Sequence, residues 1–321
     1  MSAGCVSFII AVYNGEKYIL EAVESCLNQT HPDVEVVVTD DGSTDRTLLM
    51  LKNSFGSNER VKILFFDKNR GKVAAYNNSF ANSTGDFVAI MGGDDVCLKE
   101  RAALSLEALT RHGAEMVCGD CFKMIGDRPT QICLASQWFG IQGERQIDFT
   151  TLVRRHVVFG GTLLGTREAF RAIFPIPDSF RKEDSWVALA AAHRRPITYI
   201  DVSLIQYRFH DANSSWLNAM HDFQSWVDIM VREIPFFHHA AKVFQMTPEE
   251  KNIWAIRTRI MELLRERKLS HRLALARGDL GIVLLDWNVP AASKLRFLVA
   301  LASPRLAYRI SRHFTRRARE G

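Results

Sequence analysis

The sequence predicts an α/β fold with a Rossmann-like, mainly parallel sheet flanked by helices. One observation indicates the fold class, and a second limits the size of the domain. Between residues 6 and 92, four short runs rich in β-branched residues alternate with segments of helical periodicity, a pattern typical of right-handed βαβ units. In addition, 47% of the 321 residues are hydrophobic and 24% are charged, so the chain can form one large domain or a domain with an appendage.

The elements follow in a regular order. Strands are predicted at VSFIIAV, VEVVVTD, VKILFF and FVAIM, and helices between them at EKYILEAVESCLNQ, STDRTLLMLKNSF and GKVAAYNNSFANS. Ligands bind such sheets beyond the carboxyl ends of the strands. Three of these ends carry polar residues, at 13–16, 40–45 and 92–95. We therefore expect an acidic, glycine-lined crevice at this edge, although 40–45 also matches a turn and a helix N-cap.

Composition limits the classes of function. The net charge is +5, but eight basic residues and one acid follow residue 293, so this tail carries about +7 and the rest about −2. A nearly neutral body argues against a nucleic-acid-binding core. No window contains the roughly 18 uncharged apolar residues that span a bilayer, and CVSFIIAV is too short for a secretory leader. We expect a cytoplasmic protein, or one peripheral at the cytosolic membrane face.

The C-terminal third is predicted to be helical. The segment TPEEKNIWAIRTRIMELLRERK begins with Thr247 as the N-cap, Pro248 in the first turn and Glu250 completing a capping box. After residue 293, arginines alternate with Leu, Ile and Phe. Two interpretations stay open for this tail: an amphipathic segment on an anionic membrane surface, or a packed or disordered basic tail. The CGDC segment at 118–121 lacks the second cysteine pair of a zinc site, which favours buried strand residues.

Four segments carry a more specific signal: VSFIIAVYNGEKYILEAVESCLNQTHPDVEVVVTDDGSTDRT, NRGKVAAYNNSFANSTGDFVAIMGGDDV, FRKEDSWVALAAA and YRFHDANSS. Together they resemble the family 2 inverting glycosyltransferases of the bacterial cell-surface polysaccharide type, which have the GT-A fold. The resemblance covers roughly residues 6–215. It implies a nucleotide-sugar-binding catalytic domain, which we place at 1–218. Composition and charge then predict a helical extension over 219–292 and the basic tail over 293–321. No G-x-G-x-x-G follows the first strand, which disfavours a nicotinamide dehydrogenase.

The resemblance implies a role for each polar cluster. The donor would be a nucleotide sugar, with UDP-sugar favoured, bound together with Mg²⁺ or Mn²⁺. Such a cation stabilises the charge of a diphosphate leaving group and prefers oxygen ligands. Asp95 is expected at the metal and Asp94 at the ribose, while Asp41 and Tyr13 would contact the nucleobase. Weaker donor-site candidates are Glu16, Asn69, Lys72 and Asn77. Lys72 is equally well explained as a solvated lysine at a helix start.

The acceptor side is assigned in the same way. An inverting transfer needs a general base for the acceptor hydroxyl, and the resemblance gives this role to Asp184 of KEDSW. Its neighbour Glu183 is explained as an acid favoured by the dipole of a helix that begins near Trp186. His210 of YRFHDANSS is expected either at the metal or as an ordinary surface or core histidine. Arg208 would face the diphosphate.

Two positions depart from the family's motifs, and two glycines have an expected role of their own. Gly92 stands where the family's Asp-x-Asp-Asp motif has its first aspartate, and Tyr76 stands where an arginine often precedes Asn77. Because the last two carboxylates of the motif are present, we expect an active enzyme. Gly160 and Gly161 are expected to let a bulky substrate approach the backbone.

The resemblance suggests a saccharide acceptor, with a lipid-linked glycan at a cytosolic membrane face favoured. Two alternatives remain open at this stage. A polyprenyl-phosphate glycosyltransferase would need no general base, so KEDSW disfavours it. A non-catalytic relative that binds a membrane or nucleic acid is supported only by Gly92 and the basic tail, and no nucleic-acid-reading motif accompanies that tail.

Overall fold

A computed structural model describes residues 4–154, 157–178, 180, 182–210, 234–265 and 298–306. The chain divides into two compact units, residues 1–210 and residues 211–321. The expected boundaries at 218 and 292 lie outside the described residues.

The first unit contains a ten-stranded sheet and eight helices among its described residues. The strands are β1 (Val6–Val12), β2 (Val34–Asp40), β3 (Val61–Phe65), β4 (Phe87–Gly92), β5 (Val96–Cys97), β6 (Met116–Ile125), β7 (Arg128–Cys133), β8 (Arg145–Ile147), β9 (Leu164–Thr166) and β10 (Ile197–Phe209). The helices are α1 (Ile19–Leu27), α2 (Thr47–Phe55), α3 (Lys72–Ala81), α4 (Arg101–His112), α5 (Leu134–Phe139), α6 (Phe149–Arg154), α7 (Arg167–Arg171) and α8 (Glu183–Arg194).

The strand order is β3-β2-β1-β4-β9-β6-β10-β5, with β7 beside β6 and β8 beside β10. The pairs from β3 to β4 are all parallel, as is the pair of β6 and β10, whereas β9, β5, β7 and β8 pair antiparallel with their neighbours. The predicted α/β class with a largely parallel sheet is therefore confirmed. The antiparallel strands all follow β4 in the chain, where the sequence lacks a regular strand–helix alternation.

The core explains why the first strands are continuous apolar runs. In β1, Phe8 and Ile10 on one face and Ile9 on the other are all fully buried, which is typical of a parallel strand covered by helices on both sides. Cys118 and Cys121 lie in β6 and are buried, as expected for core residues of a strand.

In the second unit, α9 (Ile234–Val243) and α10 (Pro248–Arg265) pack against each other. The indole N–H of Trp254 donates to the carbonyl oxygen of Phe237 at 2.7 Å. The predicted capping box is confirmed, because Thr247 N–H donates to Glu250 Oε2 at 2.9 Å and Glu250 N–H donates to Thr247 Oγ1 at 3.3 Å. No helix within the described ranges is long and apolar enough to cross a bilayer. Most of the basic tail lies outside those ranges.

Candidate active site

The polar clusters meet at one edge of the sheet because their strands are neighbours. β1 lies between β2 and β4, and the register pairs Val12 with Asp40 and Ala11 with Gly92. The segments 13–16, 40–45 and 92–95 therefore emerge side by side. The structure thus brings the three polar segments together at the carboxyl ends of the strands, the edge where ligands bind such sheets.

The loops after β1 and β2 are joined by hydrogen bonds between neutral backbone donors and short polar side chains. Asn14 N–H donates to Ser43 Oγ at 2.8 Å, Glu16 N–H donates to Asp45 Oδ2 at 3.1 Å, and Thr44 N–H donates to Asn14 Oδ1 at 2.8 Å. These contacts explain why α1 and α2 start at Ile19 and Thr47, later than the sequence predicts. The residues before them are part of the loop-to-loop contact.

Glu16 takes part in the same contact. Its Oε2 accepts from the backbone N–H of Arg46 at 3.1 Å and from Arg46 Nε at 3.2 Å. Both side chains are substantially exposed. Glu16 therefore connects the two loops, and we do not retain it as a donor contact.

Asp41, which directly follows β2, has a buried carboxylate. Its Oδ1 accepts from Arg70 N–H at 2.7 Å, and its Oδ2 accepts from Gly71 N–H at 2.9 Å. The next residue, Gly42, has a φ of 72°, and a Cβ there would lie 2.5 Å from the Lys68 backbone, so only glycine fits this turn. Tyr13 is exposed at the end of β1, and Asn69 is an exposed neighbour of the turn that binds Asp41.

Asp94 and Asp95 occupy the turn between β4 and β5. Asp95 is 5% exposed, and its Oδ1 accepts from Arg208 N–H at 2.9 Å. Burial, and then the adjacent charge of Asp94, raise the pKa of Asp95 well above its ordinary value. A Cβ at Gly92 would lie 2.7 Å from Asp95 Oδ2. The Asp95 carboxylate therefore occupies the space beside position 92, where the family motif has its first aspartate.

His210 lies beside Asp94. Its Nε2 is 3.0 Å from Asp94 Oδ2, and its ring centroid is 4.8 Å from that of Tyr18. The structure thus brings His210 to the two-aspartate turn, through Asp94.

Arg208 corrects one expectation, and its acidic partners, Glu21 and Asp127, are contacts that sequence reasoning missed. Its side chain is fully buried and forms ion pairs with Glu21 and Asp127. Its Nε donates to the Asp94 carbonyl oxygen at 2.8 Å, and the guanidinium lies 4.5 Å from the centroid of the Tyr18 ring. The expectation that Arg208 faces the diphosphate is wrong in this structure, because its donors are directed to the protein. The sequence feature that indicates such a buried, paired arginine is its position within the apolar run that forms β10.

The acid-bearing helix α8 begins at Glu183, three residues before the predicted start. Glu183 is 6% exposed and pairs with Lys72 at the start of α3, with Glu183 Oε1 and Lys72 Nζ 2.7 Å apart. Burial raises the pKa of Glu183 although Lys72 opposes this shift. For Lys72, burial lowers the pKa, but Glu183 and then Asp184 outweigh it and raise the pKa. Lys72 lies at the start of α3 and its side chain is 43% exposed, as expected for a solvated lysine at a helix start. The ion pair with Glu183 is a contact that this explanation did not include.

Asp184 is half-buried and lies against a 3₁₀ turn, Gly160–Thr162. A Cβ added to Gly160 would lie 2.5 Å from Asp184 Cβ, and one added to Gly161 would lie 3.5 Å from Asp95 Oδ2. The two glycines were expected to admit a substrate to the backbone. The structure places the Asp184 side chain against Gly160 and the Asp95 carboxylate close to Gly161. The approach of a substrate to this backbone stays a prediction.

Asn77 also departs from expectation. Its Nδ2 donates to the Ile176 carbonyl oxygen and its Oδ1 accepts from Ile176 N–H, both at 2.8 Å. Both polar atoms of the amide are thus used within the protein, and we do not retain Asn77 as a donor contact.

The residues present fit a divalent cation that is shared with a bound ligand. Across the described ranges, no three His, Cys, Asp or Glu side chains converge on one point. Mg²⁺ is usually bound by one or two carboxylates together with substrate phosphates and water. Asp95, with the neighbouring Asp94, is such a donor set, and a cation would relieve the repulsion that raises the Asp95 pKa.

Comparison with known proteins agrees with this architecture. The family model described as "Glycosyl transferase family 2" matches residues 7–174, more than half of the chain. The chain belongs to glycosyl transferase family 2. An uncharacterized glycosyltransferase of Haemophilus influenzae is 28% identical over 176 residues, which are 54% of this chain and 68% of that protein. The putative teichuronic acid biosynthesis glycosyltransferase TuaG of Bacillus subtilis is 34% identical over 102 residues, which are 32% of this chain and 40% of TuaG.

Solved structures show the same fold. Residues 1–349 of S. aureus TarS, in complex with UDP-GlcNAc, match with a TM-score of 0.62 and 17% identity, covering 99% of this chain and 92% of that one. The mannosyltransferase PcManGT of Pyrobaculum calidifontis, in complex with GDP-Man and Mn²⁺, matches with a TM-score of 0.60 and 18% identity, covering 98% and 85%. This family 2 glycosyltransferase therefore has the GT-A fold of enzymes that bind nucleotide sugars.

Proposed function

We propose that this glycosyltransferase moves a sugar, with inversion and with a divalent cation, from a UDP-sugar to a hydroxyl group of a saccharide acceptor. One observation carries the proposal: Asp184 and Asp95 both lie next to the Gly160–Gly161 turn, Asp184 against Gly160 and Asp95 close to Gly161. An inverting displacement needs a proton-accepting carboxylate and a cation-binding carboxylate at one site, and this pair would supply them.

The roles follow from the contacts. Asp41 is a carboxylate whose oxygens are oriented by two backbone donors, so it would accept from an N–H of the nucleobase, with the exposed Tyr13 ring beside it. Asp94 would accept from the ribose. Asp95 would bind Mn²⁺ or Mg²⁺, which stabilises the diphosphate charge as the anomeric bond breaks. His210, through its bond to Asp94, would orient that carboxylate.

Asp184 would remove the proton of the acceptor hydroxyl. Its Oδ1 accepts from Ser185 N–H at 2.6 Å, which orients the carboxylate at the first turn of α8. Because a base is present, a neutral hydroxyl is a better acceptor than a polyprenyl phosphate, which is already anionic. The absent first motif aspartate does not argue against activity, since Asp95 itself fills the space next to Gly92.

The donor and the pathway are supported by relatives only. Two TarS structures contain UDP or UDP-GlcNAc, and PcManGT contains GDP-Man with Mn²⁺. TuaG is named for teichuronic acid biosynthesis. We therefore propose a role in cell-surface glycan assembly at the cytosolic face of the membrane. The basic tail after residue 293 would add salt-sensitive attraction to anionic lipids.

A hydrolysis screen tests this function without knowledge of the acceptor. The full chain is incubated with individual nucleotide sugars, with and without Mn²⁺, and free nucleotide is measured. We expect slow, Mn²⁺-dependent hydrolysis of one UDP-sugar.

Two variants assign the carboxylates. Asp184→Asn should lower turnover roughly 10²-fold or more and leave the UDP affinity unchanged, since a general base contributes about this factor. Asp95→Ala should abolish the Mn²⁺-dependent part of UDP binding in calorimetry. Asp148→Asn, at an exposed helix start, is the control. Full turnover in Asp184→Asn, or unchanged Mn²⁺-dependent binding in Asp95→Ala, would contradict the respective assignment.

A further inference from the structure

Helix α3 contacts the α8 region at two positions that are one to two turns apart. At its first residue, Lys72 pairs with Glu183. Five residues later, the Asn77 side chain makes two hydrogen bonds with the backbone of Ile176. We call these two contacts the α3 bracket. In the chain, Ile176 and Glu183 both precede Asp184 at the start of α8. Because α3 contacts both residues, the two ends of the segment that leads to Asp184 are attached to one helix.

The Lys72–Glu183 ion pair of the α3 bracket gives a buried carboxylate its positive partner. Glu183 is buried, and its Oε2 has no hydrogen-bond partner among the described atoms. Lys72 is therefore the main compensation for its charge, and a buried carboxylate that loses such a partner is strongly disfavoured. The position of the α8 start is thus coupled to the Lys72 ammonium group.

We propose that Lys72 and Asn77 are positioning residues that fix the start of α8 on α3 and thereby set Asp184 against the Gly160 turn. This inference rests on the proposed role of Asp184 as the general base. It replaces the expectation that Lys72 and Asn77 contact the donor. The bracket would make the distance between the base and the cation-binding turn independent of bound donor.

The bracket also sets the electrostatic surroundings of the base. Lys72 adds positive charge near Asp184, and several acidic or titratable groups lie in the same neighbourhood. These groups are Tyr76 from α3, Asp94 and Asp95 from the β4–β5 turn, and Glu183 from α8 itself. Without the lysine charge, protonation of Asp184 becomes easier, and the acidic limb of the pH–rate profile should move to higher pH.

The main experiment compares Lys72→Met with Lys62→Met in the full chain. Lys62 is a matched lysine whose Nζ donates to the Asn82 carbonyl oxygen at 2.7 Å, outside the bracket. We expect Lys72→Met to lower the turnover of UDP-sugar hydrolysis at least about tenfold, because small displacements of a reacting group have effects of this size. UDP affinity in the presence of Mn²⁺ should stay within about twofold, the pH limb should shift upward, and Lys72→Arg should restore most of the turnover.

The contact between Asn77 and Ile176 is tested with a second variant and its own control. Asn77→Ala should reduce turnover with UDP affinity unchanged. Asn78→Ala should reduce neither quantity, because Asn78 Nδ2 donates at 3.3 Å to Thr39 Oγ1 of β2 rather than to the α8 region. If Lys72→Met folds poorly, the double variant Lys72→Met/Glu183→Gln removes the unpaired buried charge. Its Tm should be higher than that of the single variant, while its turnover stays low.

The outcomes separate this inference from the proposed function. Equal losses of UDP affinity and turnover in Lys72→Met would show a direct donor contact and overturn the bracket. Wild-type turnover in both bracket variants, with an inactive Asp184→Asn, would overturn the bracket and leave the function intact. An active Asp184→Asn would overturn the base assignment itself, whatever the bracket variants do.

Discussion

The two sides of the candidate site are built with different interactions. On the side of the β1 and β2 loops, short polar side chains bond to neutral backbone N–H groups, as at Asn14, Ser43 and Asp45. On the other side, near the β4–β5 turn and the start of α8, buried charged side chains are paired, with Arg208 fully buried and Glu183 bound to Lys72.

This difference matters because neutral and charged contacts respond differently to loss. A neutral hydrogen bond near the surface contributes about 1 kcal/mol, and water replaces it easily. A buried charge that loses its partner has no such replacement. We therefore expect substitutions on the charged side to affect stability or turnover strongly, and substitutions on the loop side to have smaller effects.

The largest effect is expected at Arg208. Replacing it by Met removes the donors to the Asp94 and Gly126 carbonyl oxygens and the ion pairs with Glu21 and Asp127. We expect the free energy of unfolding to fall by about 3 kcal/mol, since several charge-assisted bonds at a buried site are lost together. Urea unfolding of the full chain measures this loss. A loss under about 1 kcal/mol, the size of one neutral bond, would remove the contrast between the two sides.

The next effect concerns the turn between the two carboxylates. Gly160→Ala would place a Cβ 2.5 Å from Asp184 Cβ, so Asp184, the proposed base, must move by several tenths of an ångström or more. Turnover in UDP-sugar hydrolysis should fall by up to about 10²-fold, with unchanged UDP affinity. Gly161→Ala is the matched control, because its Cβ would approach the flexible Ile205 Cδ1 at 3.0 Å. Equal turnover in the two variants would contradict the positioning of Asp184 by Gly160.

The contrast also explains how far the sequence predicts this molecule. The parallel strands and the positions of Asp41, Asp94 and Asp95 follow from local patterns, because apolar runs and strand-end polar clusters are contiguous in sequence. The partners of Lys72 and Arg208 do not, since Glu183 lies 111 residues from Lys72 and Glu21 lies 187 residues from Arg208. The antiparallel position of β9 between β4 and β6 is likewise not encoded by any local periodicity.

On the loop side, Asn14 combines a hydrogen bond with an unusual backbone conformation. Its φ is 50°, in the left-handed region that asparagine tolerates better than alanine. Asn14→Gly should cost about 1 kcal/mol, for the lost bond from Thr44 N–H. Asn14→Ala should cost roughly 1 kcal/mol more, for the left-handed conformation. Thermal unfolding measures both values. Equal losses in the two variants would show that the hydrogen bond alone matters.

The smallest effect concerns Glu35, a carboxylate bonded to neutral donors at the opposite end of β2. Although burial opposes it, hydrogen bonds from Ser7 Oγ, Thr84 and Gly85 N–H lower the pKa of Glu35. A pKa that is lower in the folded state gives stability that is present above the unfolded pKa, about 4.3. This stability is lost as the pH falls through the lower, folded pKa. The difference in unfolding free energy between wild type and Glu35→Gln should therefore be constant near neutral pH and shrink below about pH 4. The exposed Glu59→Gln is the control. A difference that stays constant down to about pH 3 would mean that Glu35 contributes through shape and not through its charge.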